Sequence, residues 1–177
     1  IVVPTYKEEG NIGRLIDSLE EEFKSIRNFE LGILVVDANS PDNTQNIVRD
    51  KIKFYNQKNI KNIFLLAVKR GGFGLDLRRG FEYAVNNLKA DVVGQMDADF
   101  SHDPKDIKRL LEKLEEGFDL VIGSRYVKGG SIPDDWGLYR KSMSIMGNVL
   151  VRILFGTWNI RDYTTSLRVF KSSLYKS

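Results

Sequence analysis

Asp97-Ala98-Asp99 follows the apolar pair Val92-Val93, so two carboxylates leave a buried segment at nearly the same point. Carboxylates this close repel one another unless a cation or a hydrogen-bond donor lies between them. Hard divalent cations take such oxygens together with substrate phosphates. The pair therefore predicts a Mg²⁺ or Mn²⁺ ion held by Asp97 and Asp99, where it would neutralise a departing diphosphate. A loop with two aspartates, one of them capping the next helix, is the alternative. Position at the end of an apolar strand favours the first reading.

Other segments carry weaker signals. Asp37 to Thr44 follows Ile33-Leu34-Val35-Val36 and reads either as a carboxylate that accepts from a base or ribose, or as a turn with Asn39 at a permissive backbone position. It is not a calcium loop, because Pro41, Asp42 and Val48 stand where oxygen ligands and a turn glycine are needed. Lys69-Arg70-Gly71-Gly72-Phe73-Gly74 lacks the Gly-Lys-Ser/Thr ending of a phosphate loop, and a tight strand-to-helix turn explains its glycines as well. His102 is the only histidine and reads as a local hydrogen-bonding residue rather than a catalyst. The absence of cysteine and the single histidine argue against a triad protease or a zinc hydrolase. Arg125, Arg140, Lys141 and Arg168 are candidate anion contacts, since the planar guanidinium matches phosphate oxygens.

These residues need a scaffold. Short apolar runs at Ile1–Pro4, Leu31–Asp37, Ile63–Val68, Val92–Asp97 and Leu120–Ser124 alternate with helical patterns near Asn11–Ile26, Thr44–Tyr55, Leu75–Asn87 and Pro104–Glu116. The rhythm predicts an α/β fold with a mainly parallel sheet flanked by helices. Asn11 is the expected N-cap of the first helix, and Pro104 suits the first turn of the fourth. In open parallel sheets ligands bind beyond the carboxyl ends of the strands, which here bring Tyr6, Asp37, Arg70, Asp97, Asp99 and Arg125 to one rim. Beyond Ser124 a loop from Lys128 to Gly137 leads to a helical pattern at Lys141–Phe155, and a polar tail around Asp162–Arg168 follows.

The 177 residues are predicted to form one domain. The formal net charge of +3 is too small to argue for nucleic acid, and suits a polyphosphate ligand or an anionic membrane surface. No apolar run is long enough and free enough of charge to span a bilayer; Arg152 interrupts the strongest, Met143–Phe155. That segment could instead lie in a membrane interface, with Arg140, Lys141 and Arg152 reaching lipid phosphates, or simply pack on the sheet. The sequence opens on Ile1 without an initiator Met, so it is expected to be a fragment of a longer chain.

Together these motifs resemble family 2 glycosyltransferases, and within them the dolichyl-phosphate mannose synthases. Val3-Pro4-Thr5-Tyr6-Lys7-Glu8-Glu9 is similar to the family's opening Pro-Thr-Tyr-Asn-Glu, and Met96 to Pro104 to Met-Asp-Ala-Asp-Leu-Ser-His-x-Pro. Val36-Asp37 to Thr44, Gly123-Ser124-Arg125-Tyr126 and Asp162 to Arg168 also fit. Arg140, Ser144 and Asn148 match the Arg-x-x-x-Ser-x-x-x-Asn spacing of the polyprenyl-phosphate branch. The resemblance spans essentially the whole chain.

It implies a GT-A (Rossmann-like) fold, a GDP- or UDP-sugar donor, Mg²⁺ or Mn²⁺, and inverting transfer of a hexose, foremost mannose, to a polyprenyl phosphate on the cytoplasmic face of a membrane. It places the nucleotide near Pro4, Tyr6, Glu8 and Asp37. Asp97, Ala98, Asp99 and Ser101 would lie at diphosphate and metal, and Arg125 and Arg140 at donor or acceptor phosphate. The chain departs from the pattern at Ala38, Asn39, Leu75-Asp76, Thr165 and Leu167. A related glucosyltransferase and a non-catalytic sugar-nucleotide-binding module are the alternatives.

Overall fold

The central apolar runs, at Val2–Thr5, Ile33–Asp37 and Val92–Gln95, become strands because they are largely buried on both faces, as in sheets covered by helices on either side. The computed structural model describes residues 1–127, 130, 132, 137–158 and 160–176, with Arg140 and Lys176 described by their backbones alone. Strands β1 (Val2–Thr5), β2 (Ile33–Asp37), β3 (Ile63–Ala67), β4 (Val92–Gln95), β5 (Leu120–Ile122) and β6 (Arg168–Lys171) form one sheet in the order β3-β2-β1-β4-β6-β5. The pairs β1–β2, β2–β3 and β1–β4 are parallel. Within β2, Ile33 and Val35 face one core and Leu34 and Val36 the other.

Helices α1 (Ile12–Phe23), α2 (Thr44–Gln57) and α4 (Asp106–Glu115) pack on the first face, and α3 (Phe73–Asn86) on the second. α3 lies close: a Cβ on Gly80 would sit 2.6 Å from Val36 Cγ2 and 2.8 Å from Val2 Cγ1. The starts of α1 and α4 differ from expectation in detail. Asn11 occupies the N-cap of α1, but its side chain donates to Glu8 Oε2 at 3.0 Å instead of accepting from the helix. Pro104 precedes α4, and Asp103 accepts the Lys105 N–H at 3.0 Å.

The polar tail contains an unexpected strand. β6 runs antiparallel to both neighbours, pairing Gln95 with Arg168 and Ile122 with Arg168 at its start. Its amino end therefore reaches the rim where the parallel strands have their carboxyl ends, and it carries Asp162–Leu167 there. The long helix α5 (Leu138–Phe155) ends at Gly156 in the left-handed conformation (φ 63°), and the short α6 (Ser172–Lys176) closes the described chain. α5 does not bury its apolar face on the sheet: Met146, Leu150, Ile153, Leu154 and Phe155 are all exposed. Among the described residues no helix is long and apolar enough to cross a membrane. The predicted loop at Lys128–Gly137 lies largely outside the described residues.

Candidate active site

The loops that follow β1 and β2 at the carboxyl rim are held together by three hydrogen bonds. Lys7 N–H donates to Ser40 Oγ (3.0 Å), Glu8 N–H to Thr44 Oγ1 (2.9 Å) and Asn43 N–H to Glu9 Oε2 (2.9 Å). Lys7, Asn39 and Phe100 adopt left-handed backbone with φ of 62°, 54° and 59°. Asn tolerates that region, which accounts for Asn39 in a turn where a glycine is the obvious alternative. Phe100 has no such tolerance, and its strained conformation lies next to Asp99.

The loops enclose a cavity of about 310 Å³. Pro4, Thr5, Tyr6 and Glu8 line it from the end of β1, Val36 and Ala38 from β2, Arg70, Gly72, Phe73 and Asp76 from the β3–α3 turn, and Asp97, Ala98 and Asp99 from β4. Six predicted site residues thus meet there: Pro4, Tyr6, Glu8, Asp97, Ala98 and Asp99. Asp99 is exposed and accepts the Ser101 N–H at 2.9 Å through one oxygen. Among the described residues no group of three or more His, Cys, Asp or Glu could hold a metal by itself. Two carboxylates facing an open cavity still suit Mg²⁺ or Mn²⁺, which take one or two carboxylates and fill the remaining positions from water and phosphate.

Asp37 sits differently from expectation. It is fully buried, absent from the cavity lining, and turned into the protein. Its oxygens accept from Ser40 N–H (2.9 Å), Ser40 Oγ (2.6 Å), Gln45 Nε2 (2.6 Å) and Thr5 Oγ1 (3.1 Å), so it organises the β2–α2 turn. Ser101 also lies outside the lining.

A second polar cluster joins β5, α5 and the lead-in to β6. Arg125 Nε and Nη2 each donate to Asp162 at 2.8 Å, and Nη2 also donates to Thr164 Oγ1 at 2.6 Å. The Arg125 side chain is 10% exposed and that of Asp162 not at all, so this guanidinium is engaged by protein rather than presented to an anion. Burial works to raise the Asp162 carboxyl, but hydrogen bonds from Arg125 and Thr164 outweigh it and hold it below the usual carboxylate range. Ser144 and Asn148 face the same cluster: Tyr126 OH donates to Ser144 Oγ (2.7 Å) and Tyr163 N–H to Asn148 Oδ1 (2.6 Å). Arg152 donates to the carbonyls of Ile160 and Arg161, so it braces α5 and does not reach toward a lipid. The Arg140 side chain lies outside the described residues.

His102 and Arg168 stand between the two clusters. His102 Nε2 is 3.2 Å from Thr165 Oγ1, and burial pulls the imidazole below its ordinary value although Asp97 pulls it up. Burial likewise lowers Arg168 against the opposing pull of Asp97 and Asp162, while its guanidinium donates to the Thr165 carbonyl. The buried Leu167 packs so tightly that a Cβ on Gly123 would approach its Cδ2 to 2.8 Å. Thr165 and Leu167 are therefore integrated into the fold.

Arg70 was expected at the rim without a role, whereas Phe73 and Asp76 are cavity residues that the sequence did not point to. The glycines around Arg70 gave a weak signal, and Asp76 stood out only as an unusual residue after them.

This arrangement, a mainly parallel sheet with two aspartates at the rim beside a loop-lined cavity, is the GT-A architecture of sugar-nucleotide transferases. The model of Glycosyl transferase family 2 matches residues 1–177, and the chain belongs to that family. It is 36% identical over 144 residues to a dolichol-phosphate mannosyltransferase of Pyrococcus furiosus, covering 81% of this chain and 37% of the relative. It is 32% identical over 176 residues to a polyprenol monophosphomannose synthase of Mycolicibacterium smegmatis, covering 97% and 60%. The chain thus spans less than two thirds of either relative. The fold also matches glucosyl-3-phosphoglycerate synthase from Mycobacterium tuberculosis, solved with Mn²⁺, UDP and glucosyl-3-phosphoglycerate, at TM-score 0.67 and 18% identity over 98% of this chain and 56% of that one.

Proposed function

We propose that residues 1–177 form the catalytic domain of an inverting mannosyltransferase that moves mannose from GDP-mannose to a polyprenyl phosphate. The observation that carries this reading is the joining of Tyr6, Glu8, Asp97 and Asp99 in one cavity, in a chain so similar to two polyprenyl-phosphate mannosyltransferases. Tyr6 and Glu8 are assigned to the nucleoside, and Asp97 and Asp99 to the diphosphate. Asp97 and Asp99 would hold a Mg²⁺ or Mn²⁺ ion, which supplies neutralisation of the diphosphate as it leaves.

The chain's own residues do the rest. The acceptor, a phosphate monoester, is already anionic at neutral pH, so no strong general base is required. This fits His102, whose imidazole is pulled below its ordinary value by burial and whose Nε2 lies 3.2 Å from Thr165 Oγ1. Arg125, tied to Asp162 and Thr164, positions the segment against which Ser144 and Asn148 pack. Arg140, at the head of the same helix, is assigned to the acceptor phosphate. The exposed apolar side of α5 is assigned to the membrane interface where a polyprenyl tail resides, on its cytoplasmic face.

Calorimetry with GDP-mannose tests the donor half. Binding strengthened by Mg²⁺ or Mn²⁺ and weakened at least about tenfold by Asp99→Ala supports the assignment. Equal affinity with metal and with chelator contradicts it. A chain that binds donor but releases no lipid-linked sugar is a binding module.

A further inference from the structure

Asp76 is the least expected charge in the cavity. It lies in the first turn of α3, lines a space meant for a polyanion, and is 4% exposed. A carboxylate so withdrawn from water needs compensating partners. The Gly71 N–H donates to Oδ1 at 3.1 Å and Oδ2 at 3.3 Å, and Arg79 Nη1 donates to Oδ1 at 3.0 Å. The same Arg79 nitrogen donates to the Lys69 carbonyl at 2.6 Å. The turn is thus pinned to α3 on both sides of Arg70.

The left-handed backbone at Gly72 favours glycine, and a side chain on Gly71 would need the exposed Leu75 to move aside. Gly72 has φ 95°, and a Cβ on Gly71 would lie 2.6 Å from Leu75 Cδ2. Two adjacent glycines would leave an untethered turn many conformations. In the tethered one, the Arg70 guanidinium carbon is 3.8 Å from the centre of the Tyr6 ring, and both residues line the cavity. A guanidinium stacked on an aromatic face keeps its in-plane donors for acceptor oxygens.

We propose that Asp76 is a positioning residue for donor recognition: through Gly71 and Arg79 it fixes the turn that lays Arg70 over Tyr6 as a preformed wall for the nucleoside diphosphate. This rests on the reading of the cavity as the donor site. Preorganisation of this kind lowers the entropic cost of binding and so acts on donor affinity rather than on turnover.

The test is a double-mutant cycle on donor KM, kcat and Kd, with GDP-mannose and Mg²⁺ and with melting curves for every variant. Asp76→Ala should raise donor KM and Kd about tenfold, with kcat changed less than about twofold. Asp76→Asn keeps an acceptor for Gly71 and should lose less, about threefold. Arg70→Ala added to Asp76→Ala should cost little more than the larger single change, because the tether acts through Arg70. If Asp76→Ala melts too low to assay, the same cycle is run with Asp76→Asn or Arg79→Ala. Additive losses, or unchanged donor Kd in a folded variant, overturn the proposal and leave the donor site standing. Failure of the wild type to bind any nucleoside-diphosphate sugar overturns both.

Discussion

Asp162→Ala removes the carboxylate beneath Arg125. In the native fold that carboxylate accepts five hydrogen bonds: from Arg125 N (3.2 Å), Nε and Nη2 (both 2.8 Å), and from Thr164 N (3.2 Å) and Oγ1 (3.1 Å). Its side chain is fully buried and that of Arg125 10% exposed, so solvent cannot replace the lost partner without rearrangement. Stranding one charge of such a pair costs about 3–5 kcal/mol. For a chain of this size that is a melting point lowered by about 6–20 °C.

The pH dependence supplies the sharper control. The Asp162 carboxyl is held below its usual range, so its stabilisation is present above the unfolded pKa and lost as pH falls through the folded one. Urea melts of wild type and Asp162→Asn should therefore differ fully at pH 7 and pH 5, with the margin shrinking as pH falls below about 4 and lost as it passes the lowered folded value. A Asp162→Ala melting point within about 2 °C of wild type would refute the reasoning, as would a wild-type margin over Asp162→Asn that persists unchanged at pH 2.

Three further outcomes follow from the same geometry. Gly80→Ala should destabilise by about 1–3 kcal/mol in urea melts, because its Cβ would collide with Val36 and Val2 in the α3–sheet contact. Arg140→Ala should lower turnover of a polyprenyl-phosphate acceptor about tenfold while leaving donor Kd within about twofold, and a collapse of donor affinity instead would remove Arg140 from the acceptor side. The chain should co-sediment with anionic liposomes through the exposed face of α5, and Leu150→Glu/Leu154→Glu should abolish this without lowering the melting point, since both side chains are exposed.

The parallel part of the fold was legible because its information is local. Ile33–Val36 and Val92–Val93 declare buried strands by composition alone, and the rule that ligands gather at the carboxyl rim then brings Tyr6, Asp97 and Asp99 together. β6 was hidden because Arg168–Lys171 is only four residues long and its identity comes from partners far away in sequence, Val92–Gln95 and Leu120–Ile122. The same nonlocality hid the orientation of charged groups. Asp37 and Arg125 are the right residue types for a ligand, but Thr5 and Gln45 turn the first inward, and Asp162, 37 residues away, engages the second. Asp76 escaped for a different reason: its partners Gly71 and Arg79 are close in sequence, but only the fold makes their turn a cavity wall.

The most direct test of the account is transfer itself. The purified chain is incubated with radiolabelled GDP-mannose, a polyprenyl phosphate in detergent or liposomes, and Mg²⁺ or Mn²⁺, and the lipid fraction is counted and its anomeric configuration determined by NMR. The account predicts a lipid-linked mannose of configuration inverted relative to the donor, formed only with metal and lost in Asp99→Ala. A product of retained configuration, transfer that survives chelator, or donor binding without any lipid product would contradict it.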